Sequence, residues 1–177
     1  MLFSATSFAT TLLPVTMKQL SGQSELVFEG HVVDSYVKRS TDHGVPFTYV
    51  QFEVLDVISG SFAPPYITLG FAGGTLDGMT YRVDGIHYPR INERGIYFVE
   101  TLTRELLNPL YGWHQGHYVV FQNKNSSAER VLSIEEFLRN TNPKSSKSSD
   151  GMPSLENVPS SSLSEFKSDM KNEASAQ

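Results

Sequence analysis

The stretch Ser24-Glu25-Leu26-Val27-Phe28-Glu29-Gly30-His31-Val32-Val33 decides the fold class. From Glu25 to Val37 the side chains alternate. Phe28, Gly30 and Val32 share one face, and Val27, Glu29, His31 and Val33 share the other, as a strand's two-residue period requires. Gly30 in mid-strand predicts a bend or bulge, a device that curls a sheet. After the turn-like Ser40-Thr41-Asp42-His43-Gly44, a second strand from Phe47 to Ile58 alternates Val50, Phe52 and Val54 with Tyr49, Gln51 and Glu53, so the two read as one long hairpin.

Working outward, Pro64-Pro65 breaks the chain before Tyr66 to Phe71, where Ile67, Leu69 and Phe71 share a face and Gly73-Gly74 ends the run. Weaker strands are expected at Met79 to Val83, Gly95 to Leu102 and Gly116 to Gln122. Without amphipathic helices between them, these strands predict an all-β fold, an antiparallel barrel or sandwich rather than βαβ units, and a barrel of five to seven strands is the expectation taken forward. Two short helices flank it. Thr16 and Gln19 form a capping box at the N-terminal one, with Val15 and Leu20 spaced as a hydrophobic staple. Ser133 and Glu136, with Leu132 and Phe137, repeat the design near the C-terminus. The Ser-rich stretch 141–177 holds few large apolar residues and is expected to be disordered, although Ser162 and Glu165 make a third capping box over a transient helix.

Composition narrows the function classes. The chain has 177 residues, with 14 basic against 19 acidic side chains and a formal charge of −5, which argues against a nucleic-acid partner. No apolar run approaches the roughly 18 residues of a membrane-spanning helix. The absence of cysteine removes disulfides, thiol catalysis and thiolate metal sites. At the start, Ser7 and Ala9 occupy the small-x-small positions of a signal-peptidase site. Residues 1–9 are therefore expected to be the end of an export signal, with Thr10 the first mature residue of a periplasmic or secreted domain over 10–140.

Chemistry-bearing residues are sparse. His114 and His117 lie three apart, a spacing that sends strand side chains to opposite faces, and no HExxH helix accompanies them. They read as surface or hydrogen-bonded imidazoles, and neither metal nor cofactor is expected. Gly73-Gly74-Thr75-Leu76-Asp77-Gly78 lacks the P-loop ending and the GxGxxG spacing, so it reads as a tight β-connection. Trp113, the single tryptophan, sits between glycine and histidine in Tyr111-Gly112-Trp113-His114-Gln115-Gly116-His117. It either forms a recognition surface or closes the open end of the barrel, and the second reading is favoured. The candidate binding set is Trp113, His114, Gln115, His117, Tyr111, Gly74 and Asp77, for an unidentified protein or small ligand.

In their order, several segments resemble a family of small exported bacterial β-domains of uncharacterised function. The matching pieces are Ser24 to Val33, the strand from Tyr49 to Gly60, the Gly73-Gly74 turn, Gly85 with Pro89, Gly95-Ile96-Tyr97-Phe98-Val99, and Gly112 to Val120. The resemblance spans Leu13 to Leu138 and implies an OB-like barrel. That architecture is shared with the inhibitory domain of tissue inhibitors of metalloproteinases, which implies a secreted peptidase as a candidate partner. Those inhibitors ligate zinc through an N-terminal cysteine that this chain does not have. Three functions are therefore expected in order: a non-enzymatic binding or accessory module, a metallopeptidase inhibitor, and a hydrolase using His87, His114 or His117.

Overall fold

Thr16 opens the first helix as its spacing predicts: its hydroxyl accepts the Gln19 N–H, and the Gln19 side chain returns to the Thr16 N–H. In the computed structural model, which describes residues 13–122, 127–141, 155 and 158–175, this helix is α1 (Met17–Gln23). It is followed by the long strands β1 (Leu26–Arg39) and β2 (Pro46–Ser59). Next come β3 (Tyr66–Ala72), the short hairpin β4 (Gly74–Leu76) and β5 (Met79–Tyr81), and β6 (Arg94–Val99). A 3-10 turn at Trp113–Gly116 leads to β7 (His117–Gln122), β8 (Glu129–Ser133), α2 (Ile134–Thr141), β9 (Ser161–Ser162) and α3 (Leu163–Ser175). The chain is thus mostly antiparallel β-sheet with three short helices. Three of its strands, β4, β8 and β9, have no counterpart in the sequence reading.

Seven strands form one sheet in the order β3-β2-β1-β6-β7-β8-β9, with β4-β5 as a separate hairpin. The ladders leave β3 and β9 as edges and do not join into a closed barrel. The β1–β2 register slips at three places, one of them between Glu29 and Gly30. A Cβ on Gly30 would lie 2.6 Å from the Phe28 ring, so the bare backbone lets Phe28 fold back over the strand as the sheet bends. Beside β6, Leu107 to Tyr111 runs as a non-strand segment. It bridges Val99 through Leu110 and takes the Ala72 N–H of β3 on the Leu107 carbonyl at 2.7 Å.

Two cores share β1. Inside the curl, Phe28, Phe52 and Tyr97 pack ring on ring with centroids 4.7 to 5.6 Å apart, among Leu26, Val32, Val50, Leu69 and Phe71. On the outer face, Val27, Ile96, Phe98, Val120 and Val131 are covered by Leu20 of α1 and by Leu163, Phe166 and Met170 of α3. The expectation of a disordered tail is therefore corrected for its last part. Residues 142–154 lie outside the described residues, but β9 pairs with β8, and α3 buries its apolar stripe on the sheet. The three apolar side chains fall at 163, 166 and 170, one helical face. They are few, but the sheet already supplies the other half of the contact. The Ser162 hydroxyl caps the helix, accepting the Glu165 N–H and donating to the Glu165 carboxylate.

An ion network fixes α3 in place. Glu29 faces outward from β1 yet is only 1% exposed. Its two carboxylate oxygens meet Arg94 of β6 and Lys167 of α3. Lys167 also reaches Asp56 at 2.9 Å, and Arg94 continues to Glu129 of β8. Burial opposes the charge on Lys167, but the hydrogen bonds and attraction from Glu29 and Asp56 outweigh it and raise its pKa above the ordinary value.

Two outcomes follow for denaturant unfolding. Phe166→Ala should cost about 3 kcal/mol, the low end for a buried phenylalanine at a domain edge, whereas a solvated tail would lose nothing. Lys167→Met leaves a buried carboxylate with one partner fewer and should cost about 2 to 3 kcal/mol, less than severing an isolated buried pair. Because the folded pKa of Lys167 lies above the unfolded one, its contribution is complete below about pH 10.4. It should disappear as pH rises through the folded value, so the wild-type and Lys167→Met stability curves should converge only in strong alkali.

Candidate functional site

The geometry begins at the two glycines that end β3. Gly73 and Gly74 have φ of +116° and +135°, a region closed to most side chains. A Cβ on Gly73 would lie 2.1 Å from the Tyr88 hydroxyl, which donates to the Ala72 carbonyl at 2.8 Å; a Cβ on Gly74 would meet Val37 at 2.8 Å. The chain therefore leaves β3 tightly against β1 and β2 and turns out into the β4–β5 hairpin. Between that hairpin and the segment Arg82 to Tyr88 lies an open cleft of about 540 Å³. Thr48, Gly74, Thr75, Thr80, Arg82, Asp84 and Gly85 line it, together with the exposed Tyr81.

Trp113 adjoins this cleft. The chain enters its 3-10 turn through two successive left-handed residues, Gly112 at φ +66° and Trp113 at +60°. The half-buried indole packs on the inner core and lies 3.6 Å from the position a Cβ would take on Gly85. Trp113 thus covers the core at the end where Gly85 lines the cleft.

The other expected site residues are dispersed. Gln115 is used internally: its carbonyl accepts the Val15 N–H at 2.7 Å and its amide donates to the Leu13 carbonyl at 3.0 Å, tying the chain start to the turn. Tyr111 is half-buried against the outer core. Asp77 stands at the β4–β5 tip, 3.7 Å from Arg39 and away from the histidines. His114 is 2.9 Å from Glu135 of α2, and its ring lies edge-to-face with His87 at 6.1 Å. Burial, then the neighbouring His114 and His117, lowers the pKa of His87, which favours its neutral form at neutral pH.

His117 is not a surface residue. It is fully buried, 2.6 Å from the Glu93 carboxylate, which also accepts the Tyr97 hydroxyl at 3.1 Å; among the described residues the His117 Nδ1 has no hydrogen-bond partner. Burial first, and then the Glu93 charge, pushes the Tyr97 hydroxyl well above its ordinary pKa, so it remains a donor. His114 lies in the 3-10 turn rather than on a strand, and the loop 85–90 brings His87 beside it. Among the described residues no group of three His, Asp or Glu side chains is arranged to hold a metal ion. Sequence reasoning missed Tyr81 and Arg82, which lie between the left-handed Gly78 and Gly85 and carry no motif of their own.

Truncating the indole separates covering the core from binding alone. Trp113→Ala should cost about 2 to 3 kcal/mol in chemical unfolding, less than a fully buried aromatic because the ring is half-exposed. Native emission should be blue-shifted relative to the unfolded chain. Compared with protein-family models, with curated proteins and with solved structures, the chain gives no significant match to any of them.

Proposed function

We propose that the chain is a non-enzymatic binding module on an OB-like barrel, and that it takes its ligand in the cleft between the β4–β5 hairpin and the segment Arg82 to Tyr88. The observation that carries this reading is the cleft itself. Its walls are held from behind by Tyr88 and the two glycines, while hydroxyls, Arg82, Asp84 and an exposed tyrosine ring face the opening. A rigid scaffold with a few polar groups and an aromatic rim is what selective binding of a polar ligand requires. The barrel reading is supported by the bulged β1–β2 hairpin and by Leu107 to Tyr111, which spans from β6 towards β3.

The hydrolase reading has less support: His117 is sealed from solvent, and Asp77 pairs with Arg39 rather than with His87 or His114. Export to the periplasm or beyond remains part of the proposal on the strength of Ser7-Phe8-Ala9. That junction, like the Thr10 start on which an inhibitor mechanism would depend, lies outside the described residues.

Trp113 provides the assay, since the only indole lies 3.6 Å from where a Cβ on Gly85 of the cleft wall would stand. Oligosaccharides and short polar peptides titrated into the protein should include one that changes its emission saturably and without turnover. Tyr81→Ala and Arg82→Ala, both at exposed positions, should weaken that response about tenfold or more while shifting stability by less than about 0.5 kcal/mol. A response that survives both substitutions would place binding elsewhere, and product formation from the titrated compound would replace the module by an enzyme.

A further inference from the structure

The outer edge of β3 is an open seam. The Ala72 N–H bonds the Leu107 carbonyl, whereas the Gly73 N–H and the Pro65 carbonyl bond β2 at Pro46 and Val54. Main-chain groups alternate in direction along a strand, and the β2–β3 register runs without a slip from Phe47↔Ala72 to Glu53↔Tyr66. Gly70, Thr68 and Tyr66 therefore direct their N–H and C=O groups the same way as the Ala72 N–H, away from β2. Across from them runs the β6-to-turn connection. Among the described residues its only main-chain bond to β3 is the one at Ala72. Between Gly70 and that connection lies a slot of about 190 Å³, lined by Thr68, Leu102, Arg104, Glu105 and Leu106 among others. It opens at the exposed Tyr66 and Thr68.

We infer that this seam receives an extended, basic peptide segment of a partner as an added β-strand. The directional donors and acceptors of Tyr66, Thr68 and Gly70 specify a strand rather than a helix or a compact ligand, because only an extended chain matches their two-residue repeat. Charge specifies the side chains. Glu53 stands opposite Tyr66 in the ladder, Glu105 lines the slot, Glu100 belongs to the connection, and Glu25, just ahead of β1, reaches across to accept the Leu102 N–H. Against these four acids the connection offers one cation, Arg104, itself within 4.0 Å of Glu100. The seam shares no lining residue with the cleft above, so either surface can fail its test without affecting the other.

The probe is a blocked octapeptide of alternating lysine and valine, titrated into the 15N-labelled full chain. It should slow hydrogen exchange of the Thr68 and Gly70 amides about tenfold or more. The same peptide N-methylated at every residue, and one of alternating glutamate and valine, should not. Thr68→Pro, which removes one outward N–H on an edge where proline is tolerated, should weaken binding about tenfold with the thermal midpoint retained. The inference is overturned by unchanged exchange at millimolar peptide, by equal binding of the N-methylated peptide, or by equal protection from the acidic one. These peptide comparisons decide the matter even if Thr68→Pro does not fold.

Discussion

The carboxylate of Glu29 is the constraint around which the molecule is arranged. It sits on the outer face of β1, where a strand covered on one side only would leave it in water, and it is almost entirely buried. An unpaired carboxylate there would be prohibitively costly. Arg94 from the neighbouring strand and Lys167 from the last helix each take one oxygen, and Asp56 and Glu129 extend the pairing to β2 and β8. The helix that delivers Lys167 also delivers Phe166 and Met170, so the polar lock and the apolar cover arrive together. This is why the first half of β1, from Leu26 to Val32, is covered on both faces although its sequence alternates.

A comparable clamp holds the opposite side. Glu105 accepts the Tyr49 hydroxyl at 2.6 Å and the Ser40 hydroxyl, while its main-chain carbonyl meets His43 at 3.1 Å. His43 stacks on Phe47 with centroids 5.3 Å apart. Burial, with the Glu105 bond and charge adding to it, raises the Tyr49 pKa, so the hydroxyl stays protonated across the ordinary range. The connection after β6 is thus tied to the β1–β2 hairpin through side chains, and among the described residues its main chain bonds β3 only at Ala72. Fastened in this way, it leaves the strand edge beside it open.

Local patterns were legible where a short-range cause acts alone. The capping box at Thr16 forms as read, and at Ser133 and Ser162 the serine hydroxyl caps the helix N–H three residues on, because each needs only residues three apart. The β1–β2 hairpin and the bend at Gly30 follow from alternation and from a missing side chain. The tail was misread by the same local logic. Leu163, Phe166 and Met170 are too few to order a helix in isolation, and their partners Val27, Ile96 and Phe98 lie in strands far away in the chain. Among the site residues, Gln115 and His117 looked available because nothing nearby in sequence engages them. Their partners, Val15 and Glu93, are 100 and 24 residues distant.

By itself, then, the sequence determined the β class, the long opening hairpin, the helix starts and the Gly73-Gly74 turn, since period, caps and positive φ are properties of adjacent residues. Tertiary structure alone decided that the outer face is covered, that Glu29 is buried, that His87 joins His114, and that Tyr81 and Arg82 face a cleft. Each of these depends on which distant segment lies opposite. That choice is made by the summed burial and charge pairing of the whole chain, which no local window contains.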